Sequence, residues 1–290
     1  MSESFEQRLR EIQHERQSHV CIGIDPDDEK WPEGVDYSPG GLLNFATRIV
    51  EATAKFACVF KPNLGFWAAI GAENELAKLI RFIKHEHGLP VILDAKYGDI
   101  GRTAEKYARA AFERYGADAV TVNAYLGTDT LVPFLKWGPK HAILVLSHTS
   151  NEGAREFQEA QPHPFNVGLF VIIAAAATKL KTPETAAVGI VMGATFPDQL
   201  KELDGNVPDD CLMLIPGIGT QKGDLKKTLT NAGKYLYVIN SSSGIIHASR
   251  GRDFAEVAAK KAEELRDQIN KALVVVSAQS IAPSSSPSYL

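Results

Sequence analysis

Charged side chains follow the apolar segment VIL in VILDAKYGD, where Asp94, Lys96 and Asp99 lie within six residues. Lys61 ends another apolar segment, CVFKPN. Residues two apart share one side of a strand, so we expect Asp94 and Lys96 to lie together, with Lys61 joining them from a neighbouring strand. Alternating Asp and Lys neutralise one another beside an apolar core and can keep one Lys protonated as a proton donor. The alternative is a salt-bridge network with a purely structural role.

Two segments rich in glycine and serine predict an anion site. PGIGTQKGD at 216–224 carries several glycines, and NSSSGIIHAS at 240–249 places Ser243 and Gly244 before a short helix. Glycine amides can approach a ligand closely, and their flexibility suits a loop that closes over it. Taken alone, each segment is equally compatible with an ordinary turn.

The residues that commonly bind metals show no metal-binding pattern. His148 and the other histidines lack the spacing of a metal site, and Cys21, Cys58 and Cys211 each lie among apolar neighbours. We therefore expect buried, reduced thiols without disulfides. Asp94 and Asp99 are conceivable Mg²⁺ ligands, but the Lys between them competes for the same negative field, so no metal is expected.

Eight short apolar segments bounded by Gly, Pro, Asp or Asn recur along the chain. They are residues 19–25, 58–63, 90–96, 119–125, 141–147, 187–193, 211–217 and 235–242. Their nearly continuous apolar character is typical of parallel strands that are buried on both faces. Segments with helical spacing lie between them, at 43–56, 73–87, 103–116 and 167–181.

This alternation predicts a (β/α)₈ TIM barrel forming a single domain over residues 1–275, with the opening helix closing its bottom. An open doubly wound sheet is the structural alternative, but no G-x-G-x-x-G follows the first strand. Residues 276–290 are rich in Ser and Pro and are predicted to form a disordered C-terminal tail.

In such a barrel the active site lies where strands end and the following loops begin. Polar residues that end the predicted strands are therefore the candidates. They are Asp25, Lys61, Asn63, Asp94, Lys96, Asp99, Asn123, Ser147, His148, Ser150, Gln221, Asn240 and Ser241 to Ser243. Loops after strands seven and eight commonly hold phosphate in these barrels, which strengthens the predicted anion site.

Charge and hydropathy exclude several classes of protein. The chain has 31 Lys and Arg against 35 Asp and Glu, a net charge of −4, so no basic field draws it to nucleic acid or to an anionic membrane. Its apolar segments are far shorter than the roughly 18 residues that a membrane span requires. The charged N-terminal segment lacks the apolar core of a secretory signal, and we expect a cytoplasmic protein.

Six motifs together carry a resemblance to a known family. They are GIDPD at 23–27, FKPNLGFW at 60–67, DAKYGDIGRTAEKYA at 94–108, SHTSNEGAREFQ at 147–158, PGIGTQKGD at 216–224 and NSSSGIIHAS at 240–249. Over residues 5–270 the chain resembles the orotidine 5′-phosphate decarboxylase family, specifically its longer bacterial branch. The most specific motif is Asp-x-Lys-x-x-Asp-Ile with Thr103 following.

The resemblance implies a reaction and a role for each matching residue. The reaction is the cofactor-independent decarboxylation of orotidine 5′-monophosphate to UMP and CO₂ in pyrimidine biosynthesis, carried out by a homodimer with shared sites. The implied catalytic residues are Lys61, Asp94, Lys96 and Asp99. In the implied roles, Asp94 places its carboxylate against that of the substrate, Lys96 donates a proton to C6, and Asp99 and Thr103 contribute to the partner's site. The resemblance also implies that Asp25 and Lys61 bind the ribose, Ser150 binds the pyrimidine, and Gln221 binds the phosphate from a closing loop.

One position departs from the family pattern. The family carries an Arg that forks onto the phosphate in the loop after strand eight, and this chain has Ser243 there. Arg250 and Arg252 lie seven and nine residues downstream, and we do not expect either to replace it. Weaker phosphate binding, and weaker activity, are the expected consequences.

Two other functions remain open on the sequence. One is a Mg²⁺-dependent sugar-phosphate decarboxylase or synthase on the same scaffold. The other is a catalytically decayed barrel that binds a phosphate ligand, which is suggested by Ser243 and opposed by the retained Asp and Lys residues. Turnover that is sensitive to EDTA would favour the Mg²⁺-dependent enzyme. A lack of any turnover would favour the barrel that only binds its ligand.

Overall fold

The computed structural model describes residues 3–218 and 224–281, with side chains to residue 276, and its strands form a barrel. All eight strands pair in parallel. They are β1 (Val20–Ile24), β2 (Val59–Pro62), β3 (Ile92–Tyr97), β4 (Ala119–Val122), β5 (Ala142–His148), β6 (Ala187–Met192), β7 (Leu212–Pro216) and β8 (Leu236–Ser241). Each strand falls within one residue of its predicted segment, which confirms the (β/α)₈ barrel.

The strands close into a ring. Their order is β2-β1-β8-β7-β6-β5-β4-β3, and the two end strands meet through bridges between Phe60 and Val91 and between Asn63 and Asp94. An open doubly wound sheet has no such closure, so that alternative is wrong. The last bridge also brings Asp94 beside the residues that follow Lys61.

Helices cover the outside of the ring and its lower end. They are α1 (Phe5–Arg16), α2 (Pro39–Thr53), α3 (Leu64–Ala68), α4 (Glu73–His87), α5 (Gly101–Arg109), α6 (Val132–Leu135), α7 (Ala154–Phe157), α8 (Leu169–Thr178), α9 (Leu225–Ala232), α10 (Ser243–Ile246) and α11 (Phe254–Ile281). Short 3₁₀ turns span Asp28–Lys30, Ala54–Phe56, Thr128–Leu131 and Lys201–Leu203, and a π turn over Ala110–Arg114 continues α5.

The opening helix closes the bottom of the barrel, as predicted. Ser4 and Gln7 form a reciprocal capping box that starts α1, since each side chain bonds the backbone of the other residue. Phe5 and Leu9 are buried, and Gln13 Nε2 donates to the carbonyl of Tyr237 at 2.7 Å. The predicted site residues lie at the opposite end, where the strands end.

Aliphatic and aromatic side chains of the strands and helices form one hydrophobic core. Cys21, Cys58 and Cys211 are buried in it as free thiols, in agreement with the prediction from the sequence. Burial raises the pKa of the Cys58 and Cys211 thiols to about 12. These thiols are therefore protonated and unreactive at neutral pH.

The last helix extends past the predicted end of the domain. The boundary set at residue 275 falls within α11, and the backbone of 276–281 is helical rather than part of a disordered tail. The apolar segment ALVVVSA continues the helical spacing there, a signal that the Ser and Pro composition of the tail obscured. Residues 282–290 of that predicted tail lie outside the described residues.

Between residues 3 and 281, leaving out 219–223, no helix combines the length and the apolar character needed to cross a membrane.

Candidate active site

The carboxylate of Asp94 lies between two lysines at the top of the barrel. Lys61 Nζ donates to Asp94 Oδ2 at 2.5 Å, and Lys96 Nζ donates to Asp94 Oδ1 at 2.6 Å. Lys61 and Asp94 are both buried, whereas about half of the Lys96 side chain is exposed. One ammonium group is thus held inside the barrel and the other faces the open end.

Lys96 reaches Asp94 through an irregular stretch of β3. The pairing of β3 with β4 shifts between Leu93 and Tyr97, and Lys96 has a φ of 49°, in the left-handed region that non-glycine residues rarely adopt. Thr121 stabilises this backbone, because its Oγ1 accepts from the Lys96 N–H and donates to Asp94 Oδ1, both at 2.9 Å. Strain of this kind concentrates at functional sites.

Electrostatics keep the buried pair ionised. Burial opposes the charge on Lys61, but the attraction of Asp94 and Asp25 outweighs it and raises the pKa of Lys61 above its ordinary value. Burial likewise favours neutral Asp94, but the charges of Lys61 and Lys96 outweigh it and hold the pKa of Asp94 well below its ordinary value. At neutral pH the site therefore contains a carboxylate with a cation on either side.

The three charged residues line two adjoining cavities of about 360 and 300 Å³. The larger cavity extends towards Asp25 and the serines that follow β8, and its wall is polar. The smaller extends between Leu146, Val191 and Leu214, and its wall is mainly apolar. The site can therefore accept a molecule with one less polar part and one polar part, and the Asp and Lys groups border both cavities.

Asp25 lines the polar cavity, and one of its carboxylate oxygens has no partner in the described part of the chain. Its Oδ2 accepts from Ser242 Oγ at 2.6 Å, and its Oδ1 is buried with no hydrogen-bond partner among the described residues. Gly23 permits this arrangement, because a Cβ at that position would lie 2.7 Å from the Cβ of Ser242. A buried carboxylate oxygen without a hydrogen-bond partner is unfavourable, and such groups are found at functional sites.

Ser150 borders both cavities from the loop after β5. The loop comes very close to Gly193, where an added Cβ would lie 2.8 Å from the Ser150 Cα and 2.9 Å from its backbone nitrogen. Only glycine tolerates such contact, so Gly193 determines how near Ser150 lies to the charged centre.

The predicted anion site is only partly described. Ser243 and Gly217 line the polar cavity, and Gly217 has a φ of 104°, which favours glycine. Gly244 lies in α10 and borders a neighbouring surface cavity. Gln221, predicted to close on the phosphate, lies outside the described residues.

Several polar residues at strand ends lie away from the cavities. Ser147 Oγ donates to the carbonyl of Phe170, and the buried His148 contacts Glu159 at 3.1 Å. Asn63 and Asn123 accept bonds from backbone N–H groups two residues along the chain. These four side chains stabilise the barrel and its loops, and they do not line either cavity.

Asp99 and Thr103 lie at the start of α5, outside the lining of both cavities in this chain. Asp99 Oδ1 accepts from the Ile100 N–H at 2.7 Å, and Thr103 is exposed. A role for them in their own subunit's cavity has no support from this geometry.

Some residues that line the cavities were not among the predicted candidates, and three of them are Thr121, Lys30 and His247. Thr121 is a polar residue inside an apolar strand, a signal that was available in AVTVN. Lys30 and His247 also line the polar cavity, and each lies six residues after the end of a strand, β1 and β8 respectively. Among the described residues, no group of three or more His, Cys, Asp or Glu side chains gathers as a potential metal site.

Comparison with known proteins agrees with this geometry. A model of the orotidine 5′-phosphate decarboxylase / HUMPS family matches residues 18–262. The orotidine 5′-phosphate decarboxylase of Cupriavidus taiwanensis is 41% identical over 276 residues, which cover 92% of this chain and 98% of that protein. The protein of the same name from Bordetella pertussis is 39% identical over the same shares of the two chains.

Solved structures give the same result. The OMP decarboxylase of Leishmania donovani has a TM-score of 0.78 to this chain at 32% identity, covering 93% of this chain and 98% of that one. The family match spans the whole barrel, and the relatives align over nearly their full length. The chain therefore belongs to the orotidine 5′-phosphate decarboxylase / HUMPS family.

Proposed function

We propose that this protein is a carboxy-lyase that converts orotidine 5′-monophosphate to UMP and CO₂ in pyrimidine biosynthesis. The observation that carries the proposal is the Asp94 carboxylate between the Lys61 and Lys96 ammonium groups, in a cavity with one apolar and one polar part. Membership of the family gives the reaction its identity.

The chemical step needs a cation beside the reacting carbon. The bond between C6 and the carboxylate breaks, CO₂ leaves, and the electron pair stays at C6 in an orbital that the ring cannot delocalise. The Lys96 ammonium stabilises this negative charge and then transfers a proton to C6, which yields UMP. Lys96 is half-exposed, so it regains a proton from solvent after the product leaves.

Lys61 and Asp94 prepare Lys96 for this step. Asp94 remains ionised because the two cations hold its pKa low, and it orients the Lys96 ammonium through a 2.6 Å bond. Lys61 neutralises Asp94 from the other side, so the buried carboxylate is never left unpaired. Such an array is preorganised and requires little rearrangement as charge develops.

The remaining cavity residues orient the substrate. Asp25 accepts from a ribose hydroxyl, and Ser150 bonds the pyrimidine edge. Leu146, Val191 and Leu214 pack against the ring. The phosphate lies towards Ser243 and Gly217, which also line the polar cavity. Binding energy from this remote group can hold the ring in place for the reaction.

We further propose a homodimer in which Asp99 and Thr103 act in the partner's site. The support is a group of exposed apolar side chains on the same side of the barrel, namely Ile100, Tyr125 and Leu126, of which Tyr125 is 83% exposed. Ile100 directly follows Asp99, so an interface that covers Ile100 carries Asp99 to the partner.

A cytoplasmic location is also part of the proposal. Cys21, Cys58 and Cys211 are buried and unpaired, as is usual in a reducing compartment.

Following the loss of the orotate absorbance with and without EDTA tests the proposal. We expect turnover that EDTA does not change. EDTA-sensitive turnover would instead support a Mg²⁺-dependent sugar-phosphate enzyme, which the geometry disfavours because both Asp94 oxygens already accept from ammonium groups. No turnover would support a barrel that only binds its ligand, an alternative that the intact Asp and Lys array disfavours.

A further inference from the structure

Ser243 leaves open which charge binds the phosphate of the proposed substrate. In the described part of the chain, the polar cavity is lined by three ammonium side chains, those of Lys30, Lys61 and Lys96, and by no guanidinium group. A hydroxyl such as that of Ser243 supplies at most one neutral hydrogen bond. A cation beside a phosphate forms charge-assisted hydrogen bonds, which are about twice as strong as neutral ones.

The two arginines downstream of Ser243 lie elsewhere. The carbonyl of Arg250 accepts from the Glu33 N–H at 2.7 Å, and Arg252 Nε would lie 3.7 Å from a Cβ added to Gly34. Both residues therefore pack beside the loop at 33–34, and neither lines the cavity.

Of the three lysines, two are already committed. Lys61 and Lys96 both bond the Asp94 carboxylate at the chemical centre. Lys30 borders the cavity from the loop after β1, and its Nζ pairs with Asp27 Oδ2 at 2.7 Å, with 40% of the side chain exposed. An exposed pair three residues apart contributes little stability, so Lys30 can exchange Asp27 for a more strongly charged anion.

The loop that carries Lys30 is fixed against the turn that carries Ser243. The backbone N–H of Asp27 donates to the ring nitrogen His247 Nε2 at 3.2 Å. The backbone N–H of His247 donates to the carbonyl of Ser243, also at 3.2 Å. His247 Nε2 also lies 3.0 Å from the Asp25 carbonyl, so this nitrogen bonds the loop after β1 in either tautomer of the neutral imidazole. Burial lowers the pKa of His247, which favours that neutral form. His247 also stacks on Phe45, which holds its ring in place.

We propose that Lys30 binds the substrate's phosphate in place of an Arg at position 243, and so determines the preference for a phosphorylated substrate. This inference rests on the proposed function. Lys30 acts as a single point charge rather than a bidentate fork, and it moves from Asp27 to the phosphate when the nucleotide binds.

The test compares Lys30→Met with Lys78→Met. Lys78 forms a similar exposed pair, with Glu75 three residues away at 3.2 Å, but it lies on α4 outside the cavity. For each variant we would measure kcat/KM for orotidine 5′-monophosphate and for orotidine, and the affinity for UMP and for uridine by calorimetry.

Lys30→Met should lower kcat/KM for the nucleotide and the affinity for UMP by about tenfold or more, as expected for the loss of one charge-assisted bond. Values for orotidine and uridine should stay unchanged, as should all values for Lys78→Met. Adding Ser243→Arg to Lys30→Met should restore the preference for phosphate. Equal losses for the phosphorylated and phosphate-free compounds, or no loss, would overturn the role of Lys30.

The two affinities also separate this inference from the proposed function. If the wild-type protein fails to decarboxylate the nucleotide, the proposed function is wrong, but the UMP and uridine affinities still decide whether Lys30 binds phosphate. If turnover occurs and Lys30→Met leaves the UMP affinity unchanged, only the inference fails. Lys30→Gln provides a second variant should Lys30→Met fold poorly, as judged by circular dichroism.

Discussion

Lys96 Nζ lies 2.6 Å from Asp94 Oδ1, and this contact depends on a Lys96 backbone in the left-handed region. A regular strand would also place both side chains on one side of the sheet, but the irregularity in β3 sets the direction of the ammonium group. The proton donor of the proposed reaction is thus positioned by its backbone as well as by its ion pair.

Lys96→Ala should abolish turnover while UMP binding largely survives, because the ammonium acts on charge that is present mainly in the transition state. Steady-state kinetics and calorimetry with UMP measure the two effects. Lys260→Ala, an exposed lysine on α11, is the control and should keep full activity. If Lys96→Ala kept more than about a tenth of kcat, against the 10²–10⁴-fold that a positioned acid typically contributes, Lys96 would not be the donor.

Thr121→Val should lower kcat by roughly tenfold to a hundredfold, because the Lys96 N–H loses its acceptor and the ammonium shifts from its productive position. The free energy of unfolding should also fall by about 1–3 kcal/mol, since a buried hydrogen bond is lost. Thr178→Val is the matched control, because Thr178 is a buried threonine that bonds the Ala174 carbonyl in α8. A normal kcat in Thr121→Val would show that Thr121 does not position Lys96 for the reaction.

Mixing Asp99→Ala with Lys96→Ala subunits should restore activity, although each variant alone is inactive. One of the two sites in a hybrid dimer then carries both residues intact, so random mixing should recover about a quarter of the wild-type sites. Sedimentation and a tag on one subunit would establish that hybrids form. Hybrids without activity would place Asp99 in its own subunit's site.

Ser243→Arg should raise kcat/KM for the nucleotide by about tenfold or more, because a guanidinium adds charge-assisted bonds to the phosphate. Orotidine, which lacks the phosphate, should show no gain. A matching gain for orotidine, or no gain for the nucleotide, would mean that the phosphate does not approach position 243.

The stability contributed by the Asp94 pairs should depend on pH in acid. The folded-state pKa of Asp94 lies below its unfolded value of about 3.9, so its contribution is complete above that value and is lost as the pH falls through the folded pKa. The difference in unfolding free energy between wild type and Asp94→Asn should be constant from about pH 5 to 7 and should shrink below about pH 4. Urea titrations at each pH measure it, and a constant difference down to about pH 2 would contradict the ion pairing.

Much of the fold could be predicted because its signals are local. Continuous apolar segments such as AILVL in β5, separated by helical spacing, imply parallel strands buried on both faces, and eight of them imply a barrel. The prediction from composition was wrong at the start of the C-terminal tail. Composition suggested disorder there, but the backbone continues α11 to Ile281. Apolar spacing outweighed Ser and Pro content over those residues.

The site could be predicted only in part, since alternation along a strand does not say which strand ends face the cavity. Ser147 and His148 end β5, but their side chains bond Phe170 and Glu159. Ser150 borders the cavity because Gly193 has no Cβ that would collide with its backbone. The position of Lys30 could not be predicted, because it follows β1 by six residues and lies in a loop that packs against His247 and borders the cavity.

The sequence by itself determined the barrel, the level at which its site lies and the presence of Asp94 and Lys96 together at one strand end, because strand periodicity and strand-end chemistry are set by neighbouring residues. The tertiary structure decided the rest. Lys61 joins Asp94 across thirty-three residues of sequence, Thr121 supports both Asp94 and Lys96 from the next strand, and Asp25 retains an unsatisfied oxygen. These relationships depend on strand register, an irregular strand and loop packing, which arise only when distant segments meet.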